Sequence, residues 1–438
     1  METVHIFSIH HSPRLHYTLE FIFKEILLLQ YKLTTNAEEF KNLNGCKINY
    51  SKFFLENSLQ IIPVELLFER QIKPIEPDIL YWKNHLAIFK TTDDESEIPF
   101  DFFAAVFFLL SRYEEYLPHI QDIHGRFEAA NSFAFKQGFL RTPLIDIWCY
   151  EIKNILQEKF QIHSTKKRSF YYLSTFDIDN AFAYKNKSVV RTFAASIKEI
   201  LTFKIIELKN RWQTVLNFSA DPYDTYKYIL DTKTKFGFET IFFFLIGDYQ
   251  RHDKNLHYKN KKFRELISSI GKESEVGIHP SYFSNKKNNQ VELEKKRLEE
   301  IIEKKITASR QHYLKLQLPE TYRNLCALDI EDDYTMGYSE QPGFRASTCT
   351  PFYFYDLEKE QTTNLKIHPF AYMDVTLHTY LKLLPTEAVS VIESMLEDVK
   401  KVEGCFISLW HNESLSEDKR WKGWRFVFES NLKSVFEK

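Results

Sequence analysis

Apolar and polar positions follow two different rhythms along the chain, and the change of rhythm divides it. In the first part the clearest signal is Phe102-Phe103-Ala104-Ala105-Val106-Phe107-Phe108-Leu109-Leu110, followed by Ser111-Arg112-Tyr113-Glu114-Glu115. An unbroken apolar run closed by charge predicts a helix buried all round, with a polar exit. A second helix is predicted over 143–157, and the acidic stretch 91–98 reads as a loop. The basic Lys166-Lys167-Arg168 marks the predicted boundary between two units, 1–165 and 166–438.

Beyond it, strands alternate with helices. Residues 170–176 are β-branched and aromatic, as in a buried strand. Residues 187–216 read as helical and moderately basic. Asp221-Pro222 is a cap-and-Pro signal for a helix running to about Lys235. Residues 240–247 are apolar throughout, as in a strand covered on both faces. A helix over 260–269, a short strand 275–279, a charged helix 291–305, a strand 306–316 and a late strand 406–410 complete the pattern. The charged helix carries Glu292/Lys296 and Glu300/Lys304 at i,i+4 spacing. This alternation predicts a parallel α/β architecture.

The chain has 438 residues, enough for two or three domains at roughly 100–200 residues each. A hydrophobic share of 44% with 27% charged describes an ordinary globular chain, and 11 Gly with 14 Pro exclude collagen-like and Pro/Gly-rich classes. Basic residues (58) and acidic residues (60) nearly cancel to a net charge of −2. With no polycationic footprint, nucleic acid is excluded as the main partner. The apolar run at Phe102–Leu110 falls short of the about 20 residues a membrane span needs. The start Met1-Glu2-Thr3-Val4-His5 has no basic region leading into an apolar one, which predicts no signal peptide and a cytoplasmic protein. Cys46, Cys149, Cys326, Cys349 and Cys405 are dispersed, as reduced core thiols are. An aromatic share of 16% supplies large cores first and sugar-stacking surfaces second.

Parallel α/β enzymes carry their chemistry at the C-terminal ends of strands. The strand over 170–176 runs into Asp177-Ile178-Asp179, two carboxylates that share a face. Close carboxylates raise one another's pKa, and a divalent cation relieves that cost; two solvated loop acids or a helix cap remain the other reading. His279 follows the strand over 275–279 and precedes Pro280, a place suited to a zinc-type ligand or to a structural histidine. Arg310 and His312 share a face of the predicted strand 306–316. Such an arginine clamps a carboxylate or a substrate oxygen, or faces solvent on an edge strand. His411 ends the last strand and is a candidate general acid or base. Arg112, Glu114, Glu115, His124 and Arg126 form a charged cluster that reads as a contact between the two units.

The joint order is more specific than its parts. Over residues 169–415 the chain resembles the polysaccharide deacetylases, carbohydrate esterase family 4. Their first motif is similar to Thr175-Phe176-Asp177-Ile178-Asp179, their Phe-Phe strand ending in Gly to residues 240–247, and their closing Leu-x-His to Leu409-Trp410-His411. Their His-x-x-x-His motif is matched at His279 only, because Phe283 stands where the second histidine falls. Arg310 resembles their arginine, with Arg345 in Gly343-Phe344-Arg345-Ala346 as a rival.

The resemblance implies a distorted (β/α)7 barrel, preceded here by a smaller α/β or mainly helical accessory domain. It implies a divalent cation, Zn²⁺ first with Co²⁺, Ni²⁺ or Mn²⁺ as alternatives, and an N-acetylated sugar or glycan as substrate. By carry-over Asp177 is the base, Asp179 and His279 are metal ligands, Arg310 orients Asp177, and His411 protonates the leaving amine. The acidic partner of His411 falls at Asp333 or Asp374. His312 is the candidate third ligand, with Ser281 and Asn285 as weaker ones; Arg345, Tyr282 and Trp410 are candidates for substrate binding or orientation. The reading is a metal-dependent hydrolase that removes N-acetyl groups from an amino-sugar glycan or its precursor. Its alternatives are a catalytically silent relative that binds a glycan or assembly partner, and a hydrolase of a non-sugar C–N bond.

Overall fold

The computed structural model describes residues 3–92, 97–162, 166–284 and 289–437. Residues 93–96 of the acidic loop, the first two residues and Asn285 lie outside them, so the readings made on those positions are not tested.

The first part is built on a four-stranded parallel sheet of β1 (Thr3–Ser8), β2 (Gln30–Thr34), β3 (Lys47–Tyr50) and β4 (Leu59–Ile61), in the order β2-β1-β3-β4. Helices α1 (Pro13–Leu19) and α2 (Ala37–Asn42) make the crossovers, and an antiparallel hairpin pairs β5 (Ile79–Trp82) with β6 (His85–Ile88). Helix α3 (Phe102–Leu110) is buried at every position, as its sequence predicts. Asp101 caps it by accepting from the Ala104 N–H, and also accepts from Tyr50 Oη and the Val64 N–H. Burial lifts the Asp101 carboxyl to about 7 against these bonds. Short α4 (Phe133–Lys136) and long α5 (Leu144–Phe160) follow.

The second part is a nine-stranded sheet in the order β12-β13-β11-β10-β9-β8-β7-β15-β14. In chain order its strands are β7 (Tyr171–Ile178), β8 (Glu239–Phe244), β9 (Glu275–Ile278), β10 (Ala308–Ser309), β11 (Asp332–Asp333), β12 (Phe352–Asp356), β13 (Gln361–Ile367), β14 (Tyr372–Met373) and β15 (Cys405–His411). Neighbours are parallel except for the edge pair β12–β13. The intervening helices are α6 (Val189–Leu201), α7 (Ile205–Val215), α8 (Tyr226–Phe236), α9 (Lys261–Glu273), α10 (Gln290–Ile302), α11 (Glu320–Ala327), α12 (Pro385–Lys401) and α13 (Trp424–Phe436). Leu173, Ile241, Phe243, Ala308, Met373 and Leu409, from five different strands, meet in a cluster of their own, separate from the main core. One face of the sheet therefore packs against itself, while the other packs on the helices.

Three expectations change. The strand expected over 306–316 is only Ala308–Ser309, because the backbone turns at Tyr313 and Leu314, both with positive φ. Asp221 does not cap α8, which starts at Tyr226; its carboxylate instead accepts from the N–H groups of Ala183, Tyr184, Lys185 and Tyr223. The Lys296–Glu292 pair forms at 2.6 Å, but α10 ends at Ile302, before a helical Glu300/Lys304 pair is possible.

Ion pairs tie the two parts. Arg345 holds the Glu115 carboxylate through two bonds, at 2.5 and 2.8 Å, and Arg112 reaches the same carboxylate at 2.8 Å. Asp146 of α5 accepts from Thr348 Oγ1 and the Cys349 N–H. Among the described residues, Cys149, Cys326, Cys349 and Cys405 are free thiols.

Candidate active site

Strand β7 lies between β8 and β15, with Asp177 opposite Phe243 on one side and His411 on the other. Parallel register therefore brings the C-terminal ends of β7, β9, β10 and β15 to one rim. There Asp177, Asp179, His279, His312 and His411 line one cavity of about 320 Å³. Side chains alternate across β15, so His411 faces this cavity and Trp410 faces the opposite way.

Asp179, His279 and His312 form the tightest group. Their donor atoms lie within 4.8 Å of one another, with His279 Nε2 3.2 Å from Asp179 Oδ1 and His312 Nε2 3.4 Å from Asp179 Oδ2. The far nitrogen of each ring is spoken for. His279 Nδ1 lies 2.6 Å from the Arg310 carbonyl, and His312 Nδ1 lies 2.9 Å from Asp253 Oδ1. A carbonyl and a carboxylate only accept, so both Nδ1 atoms donate and each Nε2 is left to face Asp179. Asp179 Oδ1 is buried and, among the described residues, has no hydrogen-bond donor. Two imidazole nitrogens, an acceptor-only oxygen and a carboxylate holding one ring from behind are what a divalent cation requires. The donor set fits.

The electrostatics agree. Burial raises the Asp179 carboxyl, but His312, His279 and His411 outweigh it and hold it well below the usual range. Burial lowers His312, yet Asp179 and Asp253 carry it up to about 9. A proton on its Nε2 and a cation compete for the same lone pair.

Asp177 stands beside this group, its Oδ2 3.7 Å from His279 Nε2. Its Oδ1 accepts from Arg310 Nη1 at 3.0 Å. Arg310 is itself fixed by Thr175 Oγ1 at 2.7 Å and the Tyr334 carbonyl at 2.9 Å, and lies over the Phe243 ring. On the other side of Asp179, His411 Nε2 is 4.0 Å from Asp179 Oδ2. Its Nδ1 binds Asp374 Oδ1 at 2.8 Å, and Asp374 also accepts from the His411 N–H and from Ser414 Oγ. Burial lowers His411, but Asp374 more than reverses this and lifts it to about 10.

Five sequence candidates lie elsewhere. Asp333 does not meet His411; it is buried under Thr335, accepts that residue's N–H and Oγ1, and is raised to about 6 by burial. Asp374 takes the partner's place instead. Arg345 is held by Glu115, away from the cavity, so Arg310 alone meets Asp177. Trp410 packs on Phe428 at 5.1 Å between ring centres, in the core. Tyr282 stands one layer behind the wall, stacked on His252 at 4.0 Å, with its hydroxyl 2.9 Å from His124 Nδ1. Phe283 packs against Tyr282, and Ser281 is taken up by Glu294.

Sequence reasoning missed Asp253, which has no motif around it and reaches His312 by way of a loop. It also missed Arg126, assigned to the contact between units. Arg112 and Glu115 form such a contact, through Tyr338 and Arg345, as do His124 through Tyr282 and Arg126 through the Tyr313 carbonyl, whereas Glu114 bonds within its own unit to Arg112 and the Phe133 N–H; Arg126, held also by Asp122, in addition lines the cavity.

An α/β chain with a two-histidine, one-carboxylate pocket at its strand ends is the class these observations define. A family of unknown function, DUF7033, matches residues 4–161. No curated protein matches the chain in sequence. Among solved structures, a putative polysaccharide deacetylase from Mycobacterium smegmatis is similar at 13% identity and a TM-score of 0.40, covering 62% of this chain and 86% of its own. The polysaccharide deacetylase Bc1974 from Bacillus cereus is similar at 14% identity and a TM-score of 0.31, covering 61% of this chain and 87% of its own. A mutant of a CE4 family pseudoenzyme with restored enzymatic activity is similar at 12% identity and a TM-score of 0.26, covering 60% of this chain and 63% of its own.

Proposed function

We propose that this pocket hydrolyses the N-acetyl group of an amino sugar in a glycan or glycan precursor, with Asp179, His279 and His312 holding a divalent cation, Zn²⁺ first. The carrying observation is the order of groups across the cavity: the Asp177–Arg310 pair, then the three donor atoms within 4.8 Å of one another, then the His411–Asp374 pair. The cation supplies Lewis-acid polarisation of a carbonyl oxygen and of water.

The chain supplies the proton transfers. Asp177 takes a proton from the attacking water at Oδ2, the oxygen Arg310 Nη1 does not hold. His411 carries a proton on Nε2 near neutral pH, since Asp374 fixes its Nδ1–H, and delivers it to the nitrogen as the C–N bond breaks. Water and amide give acetate and a free amine. A proton acceptor and a proton donor flanking one polarised centre is the arrangement amide hydrolysis needs.

The same proposal takes residues 166–438 as the catalytic unit, on a distorted (β/α)7-type barrel, and 1–165 as an accessory unit of a cytoplasmic protein. Elemental analysis of the purified protein tests the metal: about one ion per chain is expected. Acetate release from N-acetylated sugars tests the reaction. Absence of both over a broad panel overturns the hydrolase and leaves the silent, glycan-binding reading; ammonia release from a heterocycle replaces it with the other alternative.

A further inference from the structure

Helices α6 and α7 form a hairpin whose polarity is reversed. On α6 the buried side chains are the polar Thr192 and Ser196, whereas Val189, Val190, Phe193, Ile197, Ile200 and Leu201 are exposed. At about 3.6 residues per turn these exposed residues fall in one arc of roughly 120°. Phe203, between the helices, is 87% exposed, and Phe218, beyond them, is 79% exposed. The hairpin is nonetheless well built: Arg211 of α7 pairs with Glu199 of α6 at 2.5 Å, and Phe193 meets the Trp212 ring. A contiguous apolar face of this kind marks an interaction surface.

Its charges select the occupant. Lys198, Lys204 and Lys209 are exposed on the same hairpin, against Glu207. A second copy of the chain seated here would bring these lysines towards their own counterparts. An anionic surface meets them with opposite charge, and apolar side chains flanked by lysines are the composition of helices that lie in a bilayer interface. No helix among the described residues is long and apolar enough to cross a membrane, and α6 and α7, with 13 and 11 residues, fall short of the about 20 a span needs.

Its position links it to the cavity. Arg191 of α6 donates to the carbonyls of Lys254 and Asn255 and stacks on Tyr249 at 4.4 Å. Lys254 lines the cavity, as does Asn180 just before the hairpin. The apolar face is thus fastened to the rim of the pocket.

We propose that the 189–218 hairpin seats the protein on an anionic lipid bilayer and holds the pocket at its surface. In the deacetylase reading, on which this second step rests, the substrate class becomes a glycan precursor carried on a membrane lipid.

The test sediments the full-length protein with vesicles of phosphatidylglycerol and phosphatidylcholine, and with phosphatidylcholine alone. The bound fraction is expected to be at least about tenfold greater on the anionic vesicles and to fall with added salt. It should drop about tenfold in Phe193→Ser/Ile197→Ser/Phe203→Ser and in Lys198→Glu/Lys204→Glu/Lys209→Glu. Wild type left in the supernatant of anionic vesicles overturns the proposal, and so do variants that bind as wild type does. A concentration-dependent dimer without vesicle binding, abolished by the apolar variant, assigns the face to a second copy and also overturns it. Acetate release from a water-soluble N-acetylated sugar, read in parallel, separates the two failures. None of the substituted residues lines the cavity, so docking can fail with hydrolysis intact, and hydrolysis can fail with docking intact.

Discussion

Asp177 and Asp179 are two residues apart on one strand end, and their neighbours set them apart. Asp177 has one oxygen tied to a buried guanidinium, while Asp179 faces three imidazoles. Asp177→Asn is expected to cut acetate release by about 10²–10⁴-fold, the usual worth of a positioned base. Thr175 and the Tyr334 carbonyl still hold Arg310 in that variant, so the circular dichroism spectrum should be retained at a lower melting temperature. Turnover at the wild-type rate would remove Asp177 as the base. His312→Ala should lower the metal bound per chain, and Asp253→Asn should weaken it about 10–100-fold, the usual effect of losing a carboxylate behind a ligating histidine. Competition against a chelator measures both, and full occupancy in His312→Ala would return the third ligand to another residue. The strand-end residues 177, 179, 279 and 411 were legible because a strand end fixes where a side chain points. Asp253 was not, because a loop brings it to His312, and a loop's path has no period to read. Asp333 and Asp374 were equivalent on paper; only the packing of β14 beside β15 separates them.

At the scale of elements, parallel register turns those points into a site. Strand β9 is pressed between β8 and β10, and Gly277 is where the pressure falls. A Cβ there would come within 2.5 Å of the Phe243 ring and 2.9 Å of the Ala308 carbonyl. The ring cannot yield freely, because Arg310 lies over its face at 4.7 Å. Gly277→Ala should therefore cost about 1–3 kcal/mol, as overpacking does, and disturb metal uptake as well, since His279 lies two residues on. Thermal melts and metal titration check the pair of effects; a variant with wild-type stability would show that β9 has room to move. Strong periods and apolar runs gave the long elements, α3 and β7 among them. The two-residue strands β11 and β14 were beyond reach, because so short a pairing leaves no periodic trace, and β10 was expected but at several times its length. Residues 310 and 312 reach the pocket from a turn rather than from the strand their spacing suggested.

Across the whole molecule, the first part is fastened to the nine-stranded sheet's part by buried charge. Glu115 sits between Arg345 and Arg112, and its carboxyl is lowered to about 2: burial opposes the charge, and the two guanidinium groups more than compensate. The sign follows. A carboxyl depressed in the folded state contributes stability that is fully present above its unfolded value near 4.5 and is lost as pH falls towards 2. Glu115→Gln leaves two buried arginines short of their counter-charge and should cost about 3–5 kcal/mol at neutral pH. The difference in melting temperature between wild type and Glu115→Gln should then shrink steadily below pH 4.5, as wild type loses the same charge by protonation. A difference that stayed constant from pH 7 to pH 2.5 would mean that shape, not charge, holds the joint. Because Arg126, from the same part of the chain, forms a wall of the pocket, loosening this joint should also raise KM for the sugar more than it lowers kcat. That split distinguishes a displaced wall from a damaged catalytic group.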